Sequence, residues 1–320
     1  MSKKIQLKKL NFDLTEQMFL NVDPSALYET NATEMYRRAM IGENSTRSNF
    51  RPILGVKDRV KLAQVDFQNV IKPGTCDFDP MSGDISQKSF EVCPITIQTS
   101  ICLDSLETAF MSDSIARGSK ETNLPQAFMN YFYETLAASV AEELEILSLQ
   151  GDSGLTASTF LNACDGLEKV LGDSQLVLTP MTASAVTMAN VVDKLIEARN
   201  AIPVGVKGKS DFVYMVSVNV YEAFADAVSD NMASGQYFVG GLQLNFQGVP
   251  IVKMEGASDD VIIAGQTTNF LNITDLELDT QGFNVVDFMK TTLARKIGVR
   301  TDAKVAWGVL RDQEVYFHKP

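Results

Sequence analysis

The longest helical pattern in the sequence, over residues 125–150, constrains the fold more than any other feature. Pro125 lies in its first turn and Gly151 follows its end, as is typical of helix termini. A helix of this length extends about 38 Å, so we predict a rod that runs the length of the molecule. Its glutamates Glu142, Glu143 and Glu145 fall largely off the apolar stripe and are predicted to face solvent. The stripe itself recurs every three or four residues, at Phe128, Phe132, Leu136, Val140, Leu144 and Leu147.

Length and composition indicate a folded protein. The 320 residues correspond to one large domain or two ordinary ones. Since 45% of the residues are hydrophobic and 21% are charged, the chain is neither disordered nor collagenous. A net charge of −12 argues against tight wrapping of nucleic acid, which requires clustered Lys and Arg. We find no secretory signal and no apolar run long enough to span a membrane, so no membrane partner is expected.

The histidine and cysteine content limits which catalytic and metal-binding sites the chain can form. The only histidine, His318, is predicted to be a solvated or strand-end residue, and every triad or Cys–His dyad would depend on it. The four cysteines, in no C-x-x-C pair, are predicted to be reduced thiols in a cytosolic setting, with Cys164 a buried one. The sequence does not decide whether Cys76 and Cys93 approach each other across a hairpin. The fourth cysteine is Cys102.

Motifs for enzymatic chemistry are incomplete. Gly208-Lys209-Ser210 has the ending of a phosphate-binding loop, but Pro203 occupies the position of its first glycine. Asp259 and Asp260 would suit a cation, yet a solvated turn before the next strand explains them as well. We therefore predict no catalytic residue, no cofactor and no metal, and interpret the chain as a structural or binding protein rather than an enzyme.

The order of elements along the chain is unusual for a self-contained domain. Residues 1–50 are polar and irregular, with a helical pattern over 31–40. Residues 53–103 predict a long two-armed β excursion whose few apolar side chains require a partner surface. A short helix is predicted over 103–118, before the long one. Helices over 187–202 and 220–228 then alternate with strands over 212–218, 249–252, 261–265, 270–278 and 283–286, and a β-rich segment follows over 289–316.

This order of elements resembles that of the major capsid proteins of tailed bacteriophages, those with the Hong Kong 97 type of fold. Residues 147–152 followed by 165–169 look like the exit of that family's spine helix. The most specific stretch is 237–241 with 248–252, a glycine-containing loop followed by a Gly-Val-Pro-Ile-Val strand. Residues 285–307 look like the family's final return segment.

The resemblance implies an α+β capsid fold with four parts. These are an N-terminal arm over residues 1–50, an extended β loop over 51–97, a peripheral domain over 98–172 and 284–320 that contains the long spine helix, and an axial α/β domain over 173–283. The extended loop is expected to lie over a neighbouring subunit. Candidate intersubunit contacts are Arg37, Arg38, Arg59, Lys61, Phe78 and Phe90, although a solvated face explains the four basic residues as well.

The function implied by the resemblance is that of a shell subunit. Copies of the chain, as hexamers and pentamers, would self-assemble into an icosahedral virion capsid around double-stranded DNA, without sequence-specific binding. Expected partners are a portal protein and, in shells that use them, scaffold or decoration proteins, and assembly would take place in the host bacterial cytoplasm. An alternative is a bacterial nanocompartment shell of the same fold. A carboxylate-dependent hydrolase is a further alternative, which would need a carboxylate pair with raised pKa values in a deep pocket.

Overall fold

The structure is a computed structural model, and it describes residues 46–68, 82–102, 126–156, 159–180, 183–231, 244–275, 284–288 and 296–320.

The structure confirms the long helix that the sequence predicted. Helix α1 spans Gln126–Gln150 and ends where the N–H of Gly151 donates to the carbonyl of Leu147 at 3.0 Å. Val140, Leu144 and Leu147 of the apolar stripe are buried in the main core of the molecule. The periodicity therefore predicted the buried face of this helix correctly. A second helix, α2 (Leu167–Asp173), follows the helix exit and packs beside α1.

The larger sheet has five strands in the order β1-β9-β11-β10, with β4 also pairing with β11. Strand β11 (Lys296–Val309) is its longest member, and its antiparallel pairing with β4 (Cys93–Cys102) runs from Lys296 opposite Cys102 to Val305 opposite Cys93. Its side chains Val305, Trp307 and Val309 form the main core with α1. The other strands are β1 (Arg51–Ile53), β9 (Phe270–Thr274) and β10 (Asn284–Asp287).

A second five-stranded sheet, in the order β12-β8-β5-β7-β6, builds the α/β part of the chain. Its central strand β5 (Phe212–Ser217) is buried on both faces: Tyr214 and Val216 face the helices, whereas Val213 and Met215 join the main core. Continuous burial is expected for a strand covered on two sides. The other strands are β6 (Asn245–Phe246), β7 (Val249–Met254), β8 (Ile262–Gln266) and β12 (Tyr316–His318), and the helices are α3 (Val191–Ala201), α4 (Val204–Lys207) and α5 (Val218–Asn231).

The β excursion is a two-stranded hairpin. Strands β2 (Arg59–Gln68) and β3 (Ser82–Glu91) pair antiparallel along their whole length, and among the described residues they pair with no third strand. Ten residues per strand correspond to about 33 Å. The bounds 51–97 predicted for the extended loop also include β1 and the first half of β4, which belong to the larger sheet. The short 3-10 turns are Thr46–Asn49, Phe160–Asn162, Thr267–Asn269 and Asp312–Glu314.

The thiol prediction is wrong for two cysteines. Cys93 and Cys164 form a disulfide with a Cα–Cα distance of 5.7 Å. The pairing arises because Cys93 begins β4 beside the exit of α1, where Cys164 is buried; a sequence separation of 71 residues hid this proximity. Cys102 is a partly buried free thiol. Cys76, Arg37, Arg38, Phe78 and the predicted helices over 31–40 and 103–118 lie outside the described residues.

Candidate assembly surfaces

The hairpin is attached to the body of the molecule by its inner face. Val60 and Leu62 of β2 pack with Phe90 of β3 onto Leu271 and Ala306 of the larger sheet. Phe90 approaches the sheet so closely that a Cβ on Gly308 would lie 2.5 Å from its ring. Phe90, predicted as an intersubunit contact, is thus only 7% exposed and anchors the hairpin within its own chain.

A polar contact reinforces this anchor. Lys88 Nζ lies 2.6 Å from Asp312 Oδ1 and 5.7 Å from the centre of the Phe90 ring. The second carboxylate oxygen of Asp312 accepts a hydrogen bond of 2.9 Å from the Ser174 hydroxyl. A lysine held by a carboxylate and an aromatic ring fixes the direction in which the hairpin leaves the sheet.

The opposite side of the hairpin, here called the outer face, comprises Arg59, Lys61, Ala63 and Val65 with their partners Glu91, Ser89, Gln87 and Ile85. At its base Arg59 pairs with Glu91 within the chain, so one of the predicted contact residues has a partner across the strands. Lys61 is exposed beside it. Further out, Val65 lies directly opposite Ile85, and the two side chains are 40% and 72% exposed. An apolar cross-strand pair at the surface of a two-stranded ribbon is suited to contact with another surface.

A buried ion pair fixes the first described residues to the spine helix. The Arg47 guanidinium donates from Nε to Glu145 Oε2 at 3.3 Å, and the N–H of Thr46 donates to Glu145 Oε1 at 3.0 Å. The solvent-facing prediction is therefore wrong for Glu145, because the chain at residues 46–49 covers this part of the helix. Burial lowers the pKa of Arg47, although the neighbouring Glu145 acts in the opposite direction.

A groove of about 750 Å³ opens beside this pair. It lies between the turn at 46–49, the spine helix and the end of β7. Its polar side chains are Thr46, Ser48, Asn49, Glu142, Glu145, Lys253 and Glu255. Glu145 is already engaged by Arg47, so the described residues that line this groove provide no buried carboxylate pair free for acid–base chemistry.

Close backbone packing shapes the exit of the spine helix. The N–H of Gly166 donates to the carbonyl of Gly151 at 2.8 Å, and a Cβ on Gly151 would lie 2.2 Å from the carbonyl oxygen of Cys164. A Cβ on Gly256 would likewise lie 2.8 Å from the carbonyl group of Glu145 in the helix backbone. Only glycine permits such approaches, so these positions fix how the α/β part packs against α1.

Glu168 connects three segments of the chain near the exit of the spine helix. It is 3% exposed and accepts hydrogen bonds from the N–H of Ser258 at 2.8 Å and from its hydroxyl at 2.7 Å. Lys319 adds an ion pair of 2.8 Å to the same carboxylate. This carboxylate therefore holds the loop before β8 and the end of the chain onto helix α2.

His318 ends a strand, as one of the two expectations had it, but it is not solvated. It lies in β12 with no exposed surface, and its Nδ1 donates to the carbonyl of Asp260 at 3.1 Å. Its Nε2 is buried without a hydrogen-bond partner in the described part of the chain. Burial lowers the pKa of His318, so the neutral ring is the stable form in the folded protein.

Metal binding and general acid catalysis have little support among the described residues. They contain no group of three His, Cys, Asp or Glu side chains placed to hold a metal ion. The N–H of Gly154 lowers the pKa of Asp152, and the hydroxyl of Thr96 lowers that of Asp302. Both shifts are opposite to those that a general acid requires. None of the helices in the described ranges is long and apolar enough to cross a membrane.

Solved structures with the same architecture come from viral shells and related particles. The chain superposes on a subunit of the satellite phage P4 procapsid with a TM-score of 0.60, covering 89% of this chain and 98% of that one at 9% identity. The capsid of an empty GTA particle gives a TM-score of 0.57 over 86% of this chain and 89% of the other, at 11% identity. This chain has the Hong Kong 97 type of capsid fold.

The capsid fold extends beyond phages. A virus-like particle from Pyrococcus furiosus matches with a TM-score of 0.52, covering 91% of this chain and 99% of that one at 8% identity. No protein-family model and no curated protein matches the sequence. The fold was thus recognisable from the order of elements and a few short stretches of the sequence.

Three contacts of this capsid fold were missed by sequence reasoning: Arg47 with Glu145, Cys93 with Cys164, and Glu168 with Lys319. Each joins residues more than 70 positions apart, so no local pattern indicates the partner. One signal was present for Glu145. Leu149, one helical turn later on the same side, is apolar and fully buried.

Proposed function

We propose that this chain is the major subunit of an icosahedral shell, built of pentamers and hexamers, that encloses a double-stranded DNA genome. The observation that carries the proposal is the exposed apolar pair of Val65 and Ile85 on the outer face of the hairpin, displayed by a chain whose fold is that of capsid proteins. Its inner face is fixed by Phe90 and Lys88, so the hairpin projects in a defined direction. Val65 and Ile85 then gain burial when a neighbouring subunit covers them.

Such contacts are heterologous, since the hairpin of one subunit meets a different surface of the next. Heterologous contacts close into rings when the rotation between subunits permits it, which is consistent with pentamers and hexamers. The net charge of −12 is consistent with a container that encloses DNA without binding it tightly. The proposal also includes a portal protein, scaffold or decoration proteins if the shell is one that uses them, and assembly in a bacterial cytoplasm.

Expression of the full chain tests this function. We expect closed particles, or rings of five or six, in negative-stain electron micrographs of the leading size-exclusion fraction. The variant Ile85→Asp should remain folded and run as a 35.1 kDa monomer, because a charge replaces the apolar contact. Ile85→Val is the matched control and should assemble. Particles from Ile85→Asp in wild-type yield would contradict the proposed contact, and a wild-type chain that stays monomeric at every concentration would contradict assembly of this chain without a scaffold.

A shell for protein cargo is the second candidate. The likeness to the Pyrococcus furiosus virus-like particle favours it, and the fold does not distinguish the contents. Particles from the native host should be treated with nuclease and their contents extracted. Protected double-stranded DNA of uniform length supports the genome container, whereas a co-purified enzyme without DNA supports the cargo shell.

A further inference from the structure

The disulfide lies where two parts of the fold meet. Cys93 is the first residue of β4, two positions after Glu91 ends the hairpin. Cys164 follows the exit of the spine helix and is 2% exposed in the main core. The crosslink therefore closes a covalent loop that contains β4 and the whole of α1, and it joins the base of the hairpin to the exit of the spine helix.

Noncovalent contacts position both cysteines independently of the bond between them. Cys93 is the register partner of Val305 at the end of a continuous β4–β11 ladder. Cys164 is held by the glycine-packed exit, where its carbonyl oxygen lies against Gly151. Its Sγ lies 3.5 Å from the carbonyl oxygen of Val305, so a thiol at this position has a hydrogen-bond acceptor. A reduced Cys164 would therefore keep a polar partner inside the core.

We infer that the Cys93–Cys164 pair is a redox-controlled lock, which is open while the subunit folds and assembles and closed by oxidation afterwards. A bacterial cytoplasm keeps thiols reduced, and an extracellular particle meets oxidants. The timing rests on the proposed function; the lock itself does not. Its closure fixes the base of the hairpin, and with it the contact that the hairpin makes to a neighbour.

The chemistry of closure is thiol–disulfide exchange with a low-mass disulfide such as oxidised glutathione. The reaction begins at Cys93, because its side chain is only partly buried whereas Cys164 is enclosed. The Cys93 thiolate attacks the small disulfide, forms a mixed disulfide and releases one small thiol. The Cys164 thiolate then attacks the Cys93 sulfur and releases the second. In sum, two protein thiols are oxidised to one disulfide and one small disulfide is reduced to two thiols.

Thiol counting and melting of the full-length protein test the lock. After treatment with oxidised glutathione and unfolding in urea, two of the four cysteines should resist alkylation, and peptide mass spectrometry should recover Cys93 linked to Cys164. The melting temperature should exceed that of the phosphine-reduced protein by roughly 6 °C, as expected for a closed loop of this length in a chain of this size. Cys102→Ser, the matched control, should keep this rise, and Cys93→Ser should lose it. Four reactive thiols after oxidation, a crosslink to another cysteine, or an equal rise in Cys93→Ser would overturn the lock.

The timing has a separate readout. Cells that express the chain should be lysed directly into N-ethylmaleimide in concentrated urea, which unfolds the chain and caps every thiol before air oxidises it. We expect both Cys93 and Cys164 to be capped under these conditions, and to be crosslinked in particles exposed to oxidised glutathione after lysis. A crosslink already present in the quenched lysate would overturn the post-assembly timing. Failure of the chain to form particles would count against the proposed function and leave the melting test of the lock intact.

Discussion

At the residue scale, the buried pair of Arg47 and Glu145 makes the sharpest prediction. Because both charges are removed from water, deleting one leaves the other uncompensated, and Arg47→Met should lower the free energy of unfolding by about 3–5 kcal/mol. The double variant Arg47→Met/Glu145→Leu should recover much of this loss, since it leaves no buried charge. Urea unfolding curves measure both. Glu142→Gln, on the exposed side of the same helix, is the control and should change little; a comparable loss there would argue against the assignment.

His318 makes the fold sensitive to mild acid. Burial, with Lys194, lowers its pKa, whereas the Asp260 carbonyl and the charges of Glu197 and Asp260 act in the opposite direction. A pKa that is lower in the folded state than its unfolded value of 6.5 means that stability is fully present above pH 6.5 and declines as the pH falls below it. His318 is the only histidine, so no other imidazole contributes in this window.

The pH prediction is measured by thermal melting at pH 7.5, 6.5, 5.5 and 5.0. The wild type should lose melting temperature below pH 6.5, and His318→Gln should be less stable at pH 7.5 but show a flatter dependence down to pH 5.0. Equal slopes for the two proteins would refute the role of His318. The carboxyl groups of Asp152 and Asp302, whose pKa values are lowered, lose their contribution only below about pH 4, outside this window.

Sequence reasoning could have placed one of these residues. Glu145 precedes the buried Leu149 by one helical turn, which indicates an inward position, but its partner Arg47 lies 98 residues away and carries no signal. For Cys164, burial was predicted and confirmed, whereas its bond to Cys93 was not, because the proximity arises from β4 pairing with β11. Long-range partners depend on packing of elements that are far apart in the chain.

At the scale of elements, the exit of the spine helix should be intolerant of side chains. Gly151→Ala would place a Cβ 2.2 Å from the Cys164 carbonyl oxygen and 2.6 Å from that of Leu147. Since both neighbours are backbone atoms, the exit must shift, and we expect a loss of about 1–3 kcal/mol in the free energy of unfolding. Gly205→Ala in α4 is the matched control, because a Cβ there meets no atom within 4 Å. It should be neutral or stabilise by about 0.5 kcal/mol; equal losses for both variants would contradict the packing argument.

Elements with strong local patterns were predictable, and their partners were not. The periodicity of α1 gave this helix nearly to the residue. The hairpin was predicted only as a two-armed β excursion over residues 53–103, without the bounds of β2 and β3. Strand β4 was assigned to the excursion because its alternation at Ile95 and Ile97 continues that of β3. Only its register with β11, some two hundred residues later, places it in the larger sheet. Strand type is a local property, whereas sheet membership depends on tertiary pairing.

At the scale of the whole molecule, the hairpin should be separable from the fold of the subunit. Val60 and Leu62 at its base, with Lys88 and Phe90, carry its contacts to the body, and Leu62 lies opposite Lys88 in the ladder. A variant in which an Asn-Gly turn replaces residues 63–87 therefore keeps these anchors and closes the shortened strands with a two-residue hairpin turn. It should melt within a few degrees of the wild type and fail to form particles.

This truncation also distinguishes the two halves of a heterologous contact. The shortened subunit lacks the projecting hairpin but retains the surface that receives one, so it can end a growing ring without extending it. Co-expressed with the wild type in increasing proportion, it should reduce particle yield more steeply than simple dilution does, as measured by size-exclusion chromatography and electron microscopy. Ile85→Asp, which alters only the outer face, should inhibit assembly of the co-expressed wild type to a similar extent. Particles of normal diameter from the truncated chain alone would show that the shell does not depend on the hairpin, and the proposed contact would have to be abandoned.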